Sequence, residues 1–212
     1  MKNGFTLAEV LVTLGIIGVI SAMTLPTLIK NHQRQVYVTQ LHKVYNEVSQ
    51  ALEQVITDSN AVNLYESNFT HNDREWFIRN YFKTTKICTG ASSKDCFANE
   101  YKNMNGTTII TRDIIGNHHA SAILTSGASI CIKYNLIIVD INGLQGPNIL
   151  GRDLFDLWYK NDGTISAFAN YDPIPTDDDV NSEFSTECSA NTGISYGYCL
   201  AKIINDGWKM DY

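Results

Sequence analysis

Residues 5–29 read FTLAEVLVTLGIIGVISAMTLPTLI. Apart from Glu9, every side chain in this run is apolar, small or a hydroxyl. As a helix it would be roughly 37 Å long, against about 30 Å for the hydrocarbon core of a bilayer. The run is therefore long enough to cross a membrane. Two residues sit badly in that picture: Glu9 near its start and Pro26 near its end. An ionised carboxylate costs about 2.5–3.5 kcal/mol at the centre of a membrane helix, and less near the interface. Glu9 needs a partner.

The flanks suggest one. Only MKNG precedes the run, with Lys2 as its single charge, and the polar sequence that follows has no small-residue cleavage site. This is the wrong order for a secretory signal, whose cleavage site follows the apolar stretch. A cut between Gly4 and Phe5 would instead free the Phe5 amine four residues, about one helical turn, from Glu9. Ammonium and carboxylate can pair within one chain or between neighbours. Pairing between chains selects for docking, because a lone subunit keeps an ill-satisfied charge.

The stretch GFTLAEVLVTLGIIGVISAMTLP resembles the N-terminal signature of type IV pilins and of type II secretion pseudopilins. The resemblance implies a leader peptide over 1–4. A prepilin peptidase would cut after Gly4, with methylation of the Phe5 amine. Glu9 would be the assembly glutamate at the fifth mature position. The mature helix would wait in the inner membrane until an assembly platform draws it into a helical filament. Gly18 and Pro26 fall where many members carry helix-loosening residues. Pro26 removes a helical hydrogen bond, and proline inside a helix costs about 3 kcal/mol, usually as a kink.

Beyond residue 29, Val36, Tyr37, Leu41, Val44, Val48, Leu52, Val55 and Ile56 recur at three- and four-residue spacings. This predicts an amphipathic continuation of the helix over 30–58, its stripe facing a globular head formed by 59–212. NDREWFIRNYF predicts a short helix from about Asp73 to Phe82, and residues 59–106 otherwise read as a connecting region. TTIIT, SAILTS, SICIKY and LIIVDI predict short strands, and DLFDLWYKNDGTISAF a hairpin turning at Asn161, Asp162 and Gly163. Four to six antiparallel strands are expected. The fold class is α+β, a long N-terminal helix laid on an antiparallel sheet, which is also what the pilin resemblance implies. Ile203, Ile204, Trp208 and Met210 in the tail read as residues docking back onto the head.

The chain has five cysteines and a formal net charge of −6. Cys88–Cys96 and Cys188–Cys199 each flank a polar loop, and none has C-x-x-C spacing. They read as two disulfides formed in an oxidising compartment. Cys131 reads as a buried strand residue. The negative balance speaks weakly against a nucleic-acid-coating surface, and because net charge says nothing about its distribution, DNA stays open as a partner.

VDINGLQGPNILGRDLF is the most site-like stretch of the head. Asp140, Asn142, Asn148 and Asp153 supply oxygen donors within one glycine-rich loop, and calcium takes such ligands. The spacing is not that of an EF-hand, and a loop stapled by Asx turns uses the same residues. Asp177, Asp178 and Asp179 read as a solvated acidic loop. His118 and His119 would point to opposite faces of a strand. No nucleophile elbow, metalloprotease or phosphate-loop motif occurs, so no enzyme is expected. The leading reading is a structural filament subunit whose partners are further copies or related pilins. It would sit in the bacterial inner membrane before assembly and in a periplasmic or cell-surface filament afterwards. The rivals are a minor or tip subunit acting in adhesion or DNA uptake, and a membrane-anchored enzyme or receptor.

Overall fold

The computed structural model of the chain describes residues 4, 6–69, 73–116, 119–168, 176–184, 188 and 197–212, without the side chains of residues 112 and 113. Of the residues singled out above, 1–3, Phe5 and His118 lie outside this set.

One helix, α1 (Leu7–Asp58), runs for 52 residues, about 78 Å at 1.5 Å per residue. Thr6 caps its start. It passes through Pro26 without a break, although proline has no N–H to give the Ala22 carbonyl. Its buried side chains are Val38, Leu41, Val44, Val48, Ala51, Leu52 and Val55. These all fall in the second half and recur at the spacing that keeps one helix face toward a core. After Asp58 the chain turns back onto the hairpin predicted at 161–163: the Leu64 N–H donates to the Asn161 carbonyl at 2.8 Å. The Tyr65 N–H donates to Asn161 Oδ1 at 2.9 Å.

The head opens with α2 (Arg74–Tyr81), capped by Asp73, whose carboxylate accepts from the Trp76 N–H at 3.0 Å. Then come β1 (Thr84–Gly90), a 3-10 turn at Ser93–Cys96, β2 (Glu100–Lys102), β3 (Thr108–Ile110) and α3 (Thr111–Ile115). The main strands follow: β4 (His119–Leu124), β5 (Ser129–Lys133), β6 (Leu136–Asp140), β7 (Leu154–Tyr159) and β8 (Ile165–Ser166). Two short helices, α4 (Asp177–Glu183) and α5 (Gly197–Asn205), complete the described chain. The six-stranded sheet has the order β1-β4-β5-β6-β7-β8 and is antiparallel throughout; β2 and β3 pair separately. The architecture is the expected α+β arrangement, a long N-terminal helix and an antiparallel sheet.

The two faces of the sheet differ in chemistry. One cross-strand row is Ala122, Ile130, Val139 and Phe155, entirely apolar and buried. These residues share one hydrophobic core with the buried stripe of α1. The row displaced by one residue is Cys88, Ser121, Cys131, Ile138 and Asp156. Because side chains alternate along a strand, it lies on the opposite face. Segment 93–115 packs there. Ser129 Oγ donates to the Cys96 carbonyl at 2.5 Å, and Tyr101 donates its hydroxyl proton to Asp140.

Two expectations are corrected. Residues 59–106 are not merely a connection, because β1 is an edge strand of the main sheet. Its residues are largely exposed or half-buried, so it lacks the apolar alternation that marks a strand in sequence. TTIIT is only partly a strand: β3 ends at Ile110 and Thr111 starts α3.

Candidate functional site

The first half of α1 is the most unusual surface of the molecule. Among residues 7–29 no side chain is buried. Leu14 is 60% exposed, Met23 74% and Leu28 66%. The helix is long and apolar enough to cross a membrane by length and composition.

Glu9 sits at the third position of this helix and is held by Thr6. The Thr6 N–H and Oγ1 both donate to Glu9 Oε2 at 2.8 Å, and Thr6 Oγ1 accepts from the Glu9 N–H at 3.3 Å. This is a capping box. It uses one carboxylate oxygen. Glu9 Oε1 has no hydrogen bond among the described residues. Sequence reasoning that looked only for a charge partner missed Thr6, although the T-x-x-E pattern ahead of an apolar run is visible. The Phe5 amine, as the proposed partner, lies outside the described residues.

The loop between β6 and β7 brings Asp140, Asn142, Asn148 and Asp153 together with Tyr101. Asp140 Oδ1 accepts from the N–H groups of Asn142 at 3.1 Å and Gly143 at 2.8 Å, while Oδ2 takes the Tyr101 hydroxyl. Asp153 accepts from the N–H of Asn148 at 2.6 Å and of Ile149 at 2.5 Å, one on each oxygen. All four carboxylate oxygens are thus engaged by the protein. Asn142 donates its amide to the Gly146 carbonyl at 3.0 Å. The buried Oδ1 atoms of Asn142 and Asn148 have no hydrogen-bond partner among the described residues. Burial pushes the carboxyls of Asp140 and Asp153 above the usual range; the Asp153 charge adds to the effect at Asp140, and backbone N–H donors oppose it at both. Gly143 has φ 67° and packs so closely on the β4–β5 turn that a Cβ would lie 2.3 Å from the Gly127 carbonyl oxygen. Tyr101 lies 39 residues before Asp140, and no local pattern announces the pairing.

As a calcium cage the loop fits only in part, since the free oxygens are two neutral amide atoms. Among the described residues no group of three or more His, Cys, Asp or Glu side chains could hold a metal ion. Asp179 forms a second capping box with Thr176. His119 lies on β4 with its ring edge-on to Tyr134, centroids 5.7 Å apart. Trp208 stacks on His42 at 4.0 Å and meets Tyr45 edge-on, which makes it a packing residue against α1. Ile203 and Met210 are buried beside it in the core. Disulfides join Cys88 to Cys96, Cα atoms 6.0 Å apart, and Cys188 to Cys199, 5.2 Å apart. Cys131 is free and buried, its thiol pushed up to about 11 by burial.

A long helix, apolar and outward-facing in its first half, followed by an antiparallel sheet, defines a pilin-like architecture. Residues 1–25 match the family model described as the prokaryotic N-terminal methylation motif, the signature of type IV pilin and pseudopilin precursors. Comparisons of the chain with curated proteins and with solved structures return no match. The signature implies processing by a prepilin peptidase and assembly into filaments. Together with the apolar helix it fits membrane anchoring before assembly.

Proposed function

We propose that this chain is a non-enzymatic structural subunit of a type IV pilus or a type II secretion pseudopilus. It is cut after Gly4, methylated on the Phe5 amine, held in the inner membrane by residues 5–29, and drawn by an assembly platform into a filament of like subunits. The filament then stands in the periplasm or at the cell surface, an oxidising setting that suits two disulfides. The observation that carries this reading is the outward-facing apolar half of α1 behind the methylation motif. Side chains that one chain leaves uncovered need lipid first and neighbouring helices later. In the filament, Glu9 Oε1 accepts the Phe5 ammonium of the next copy while Thr6 keeps Oε2. A low-dielectric setting makes that pair strong and its absence costly.

Glu9→Gln separates the two roles of the glutamate. Glutamine supports a capping box as glutamate does, so the helix start is preserved while the charge is lost. Cleavage should remain near normal and incorporation into filaments should fall at least tenfold, read as sheared-filament yield against membrane-retained subunit. Wild-type incorporation would sink the pairing. A minor or tip role is the second reading. Val62 and Tyr65, 83% and 79% exposed just beyond the membrane-distal end of α1, favour it. We also propose that the loop at 140–153 holds its shape through its own hydrogen bonds, with calcium adding little.

A further inference from the structure

A cavity of about 340 Å³ opens on the sheet face opposite the apolar one, at the β5–β6 end. Its walls include Asp156, Lys133, Tyr134, Leu136, Trp158 and Ile114. The volume falls within the range of small-ligand pockets, roughly 300–1,000 Å³. Exposure grades the lining by depth: Asp156 is 4% exposed, Trp158 is half-buried and Tyr134 is 64% exposed. A carboxylate therefore lies at the floor, and two aromatic rings stand nearer the mouth.

Asp156 is not explained by the fold. It ends the buried cross-strand row that begins at Cys88, opposite Ile138 and with apolar Phe155 and Leu157 beside it in the chain. Its Oδ1 is buried with no hydrogen-bond partner among the described residues. Lys133, the nearest cation on the lining, is turned to the Ile114 carbonyl instead, Nζ to O 3.4 Å. An unpaired buried carboxylate is costly, and an asparagine of the same shape would avoid that cost. Lys133 offsets that cost only through its charge, without a hydrogen bond to the acid among the described residues, and such breaks of a local rule are expected at functional sites.

The walls state what would satisfy it. Aromatic faces attract cations, and Arg74 already lies over the Tyr134 ring, 5.7 Å from its centroid. Tyr134 is held at φ 51° in the two-residue β5–β6 loop, where the primed turns that fit such loops favour glycine or asparagine. Backbone strain of this kind persists only where the surrounding structure imposes it, and it clusters at functional sites. We propose that this cavity binds a primary ammonium group on a short aliphatic chain, the chemistry of a lysine side chain, with Asp156 as its counter-ion and Trp158 and Tyr134 flanking its stem. Lys133 is a like charge on the wall and limits the affinity. The proposal is independent of the filament reading, since nothing in it involves α1.

The test uses the full chain in detergent micelles and isothermal titration calorimetry with n-butylammonium, with n-butanol as the neutral control. Saturable binding in the millimolar range is expected, with none for butanol. Asp156→Asn should fold with an equal or higher thermal midpoint and lose at least tenfold in affinity. Lys133→Met should tighten binding severalfold. Titration of free N-acetyl-lysine methylamide and of a lysine-containing peptide distinguishes a free amine from a lysine on a partner: equal affinities indicate the former, a tighter peptide the latter. Failure of n-butylammonium to saturate, or equal binding by the Asp156→Asn variant, would overturn the proposal. So would destabilisation by Lys133→Met without gain in affinity, which would make Lys133 the native counter-ion.

Discussion

The two halves of α1 carry the same kinds of apolar side chain, and these live by opposite rules. In the first, Leu14, Ile17 and Leu28 are more than half exposed. In the second, Leu41, Val48, Leu52 and Val55 have no exposed surface at all. The difference lies in what surrounds them, because the head covers only the membrane-distal half. Burial of a leucine side chain is worth about 1.5–3 kcal/mol, so the distal half draws its stability from its own chain. The proximal half can draw it only from lipid or from other molecules. On the proposed reading, one helix joins a folding unit to an association surface.

The sharpest way to break that contrast is to truncate one leucine in each half. Leu52→Ala should lower head stability by about 2–5 kcal/mol, as large-to-small changes in a closed core do. Leu14→Ala should change it by less than about 0.5 kcal/mol, because that side chain is 60% exposed and lies outside the core of the described residues. Near-ultraviolet dichroism during urea unfolding in detergent suits this comparison, since Trp76, Trp158 and Trp208 all belong to the head. Equal losses for the two variants would mean that the proximal half is also part of the folding unit.

A smaller effect concerns pH and again belongs to the head alone. Burial pushes the Asp156 carboxyl up to about 7, with Lys133 opposing, against an unfolded value near 4. Between those values the folded chain holds a proton that the unfolded chain has released. The contribution to stability is therefore full below the unfolded value and is lost as pH rises toward neutrality. Asp140 and Asp153 are shifted the same way. Asp156→Asn should raise head stability by on the order of 1–3 kcal/mol at pH 8 and leave it nearly unchanged at pH 4. A variant less stable than wild type at pH 8 would show that the carboxylate is satisfied in the fold. The smallest expected effect is that of calcium: millimolar calcium should move the thermal midpoint of the head by less than about 1 °C. A larger rise would indicate a stabilising site, and loss of the rise in Asn142→Ala would place it at the β6–β7 loop.

Much of this architecture was legible in the residues, and the reasons are physical. Residues 5–29 carry a single charge over a length that suits a bilayer crossing. The stripe from Leu41 to Val55 repeats at helical spacing. LIIVD and SICIK carry the β-branched density of central strands. Strand β1 escaped because an edge strand with Lys86 and several threonines buries little and so has no pattern to repeat. The β6–β7 loop was recognisable from its glycines and Asx residues, but Tyr101, which completes it, comes from a distant strand. Asp156 was invisible because one acid in LFDLWY reads as an outward residue until the sheet shows that face covered. Glu9 was conspicuous by its surroundings, and Thr6, its immediate partner, was overlooked for want of a charge.

The central claim is that the proximal half of α1 is an association surface prepared by cleavage. The intact mass and N-terminal residue of the native chain purified from membranes test it most directly. The account predicts a chain lacking residues 1–4, beginning at Phe5 and heavier by one methyl group at its amine. A native chain that keeps Met1, with no modification, would contradict it.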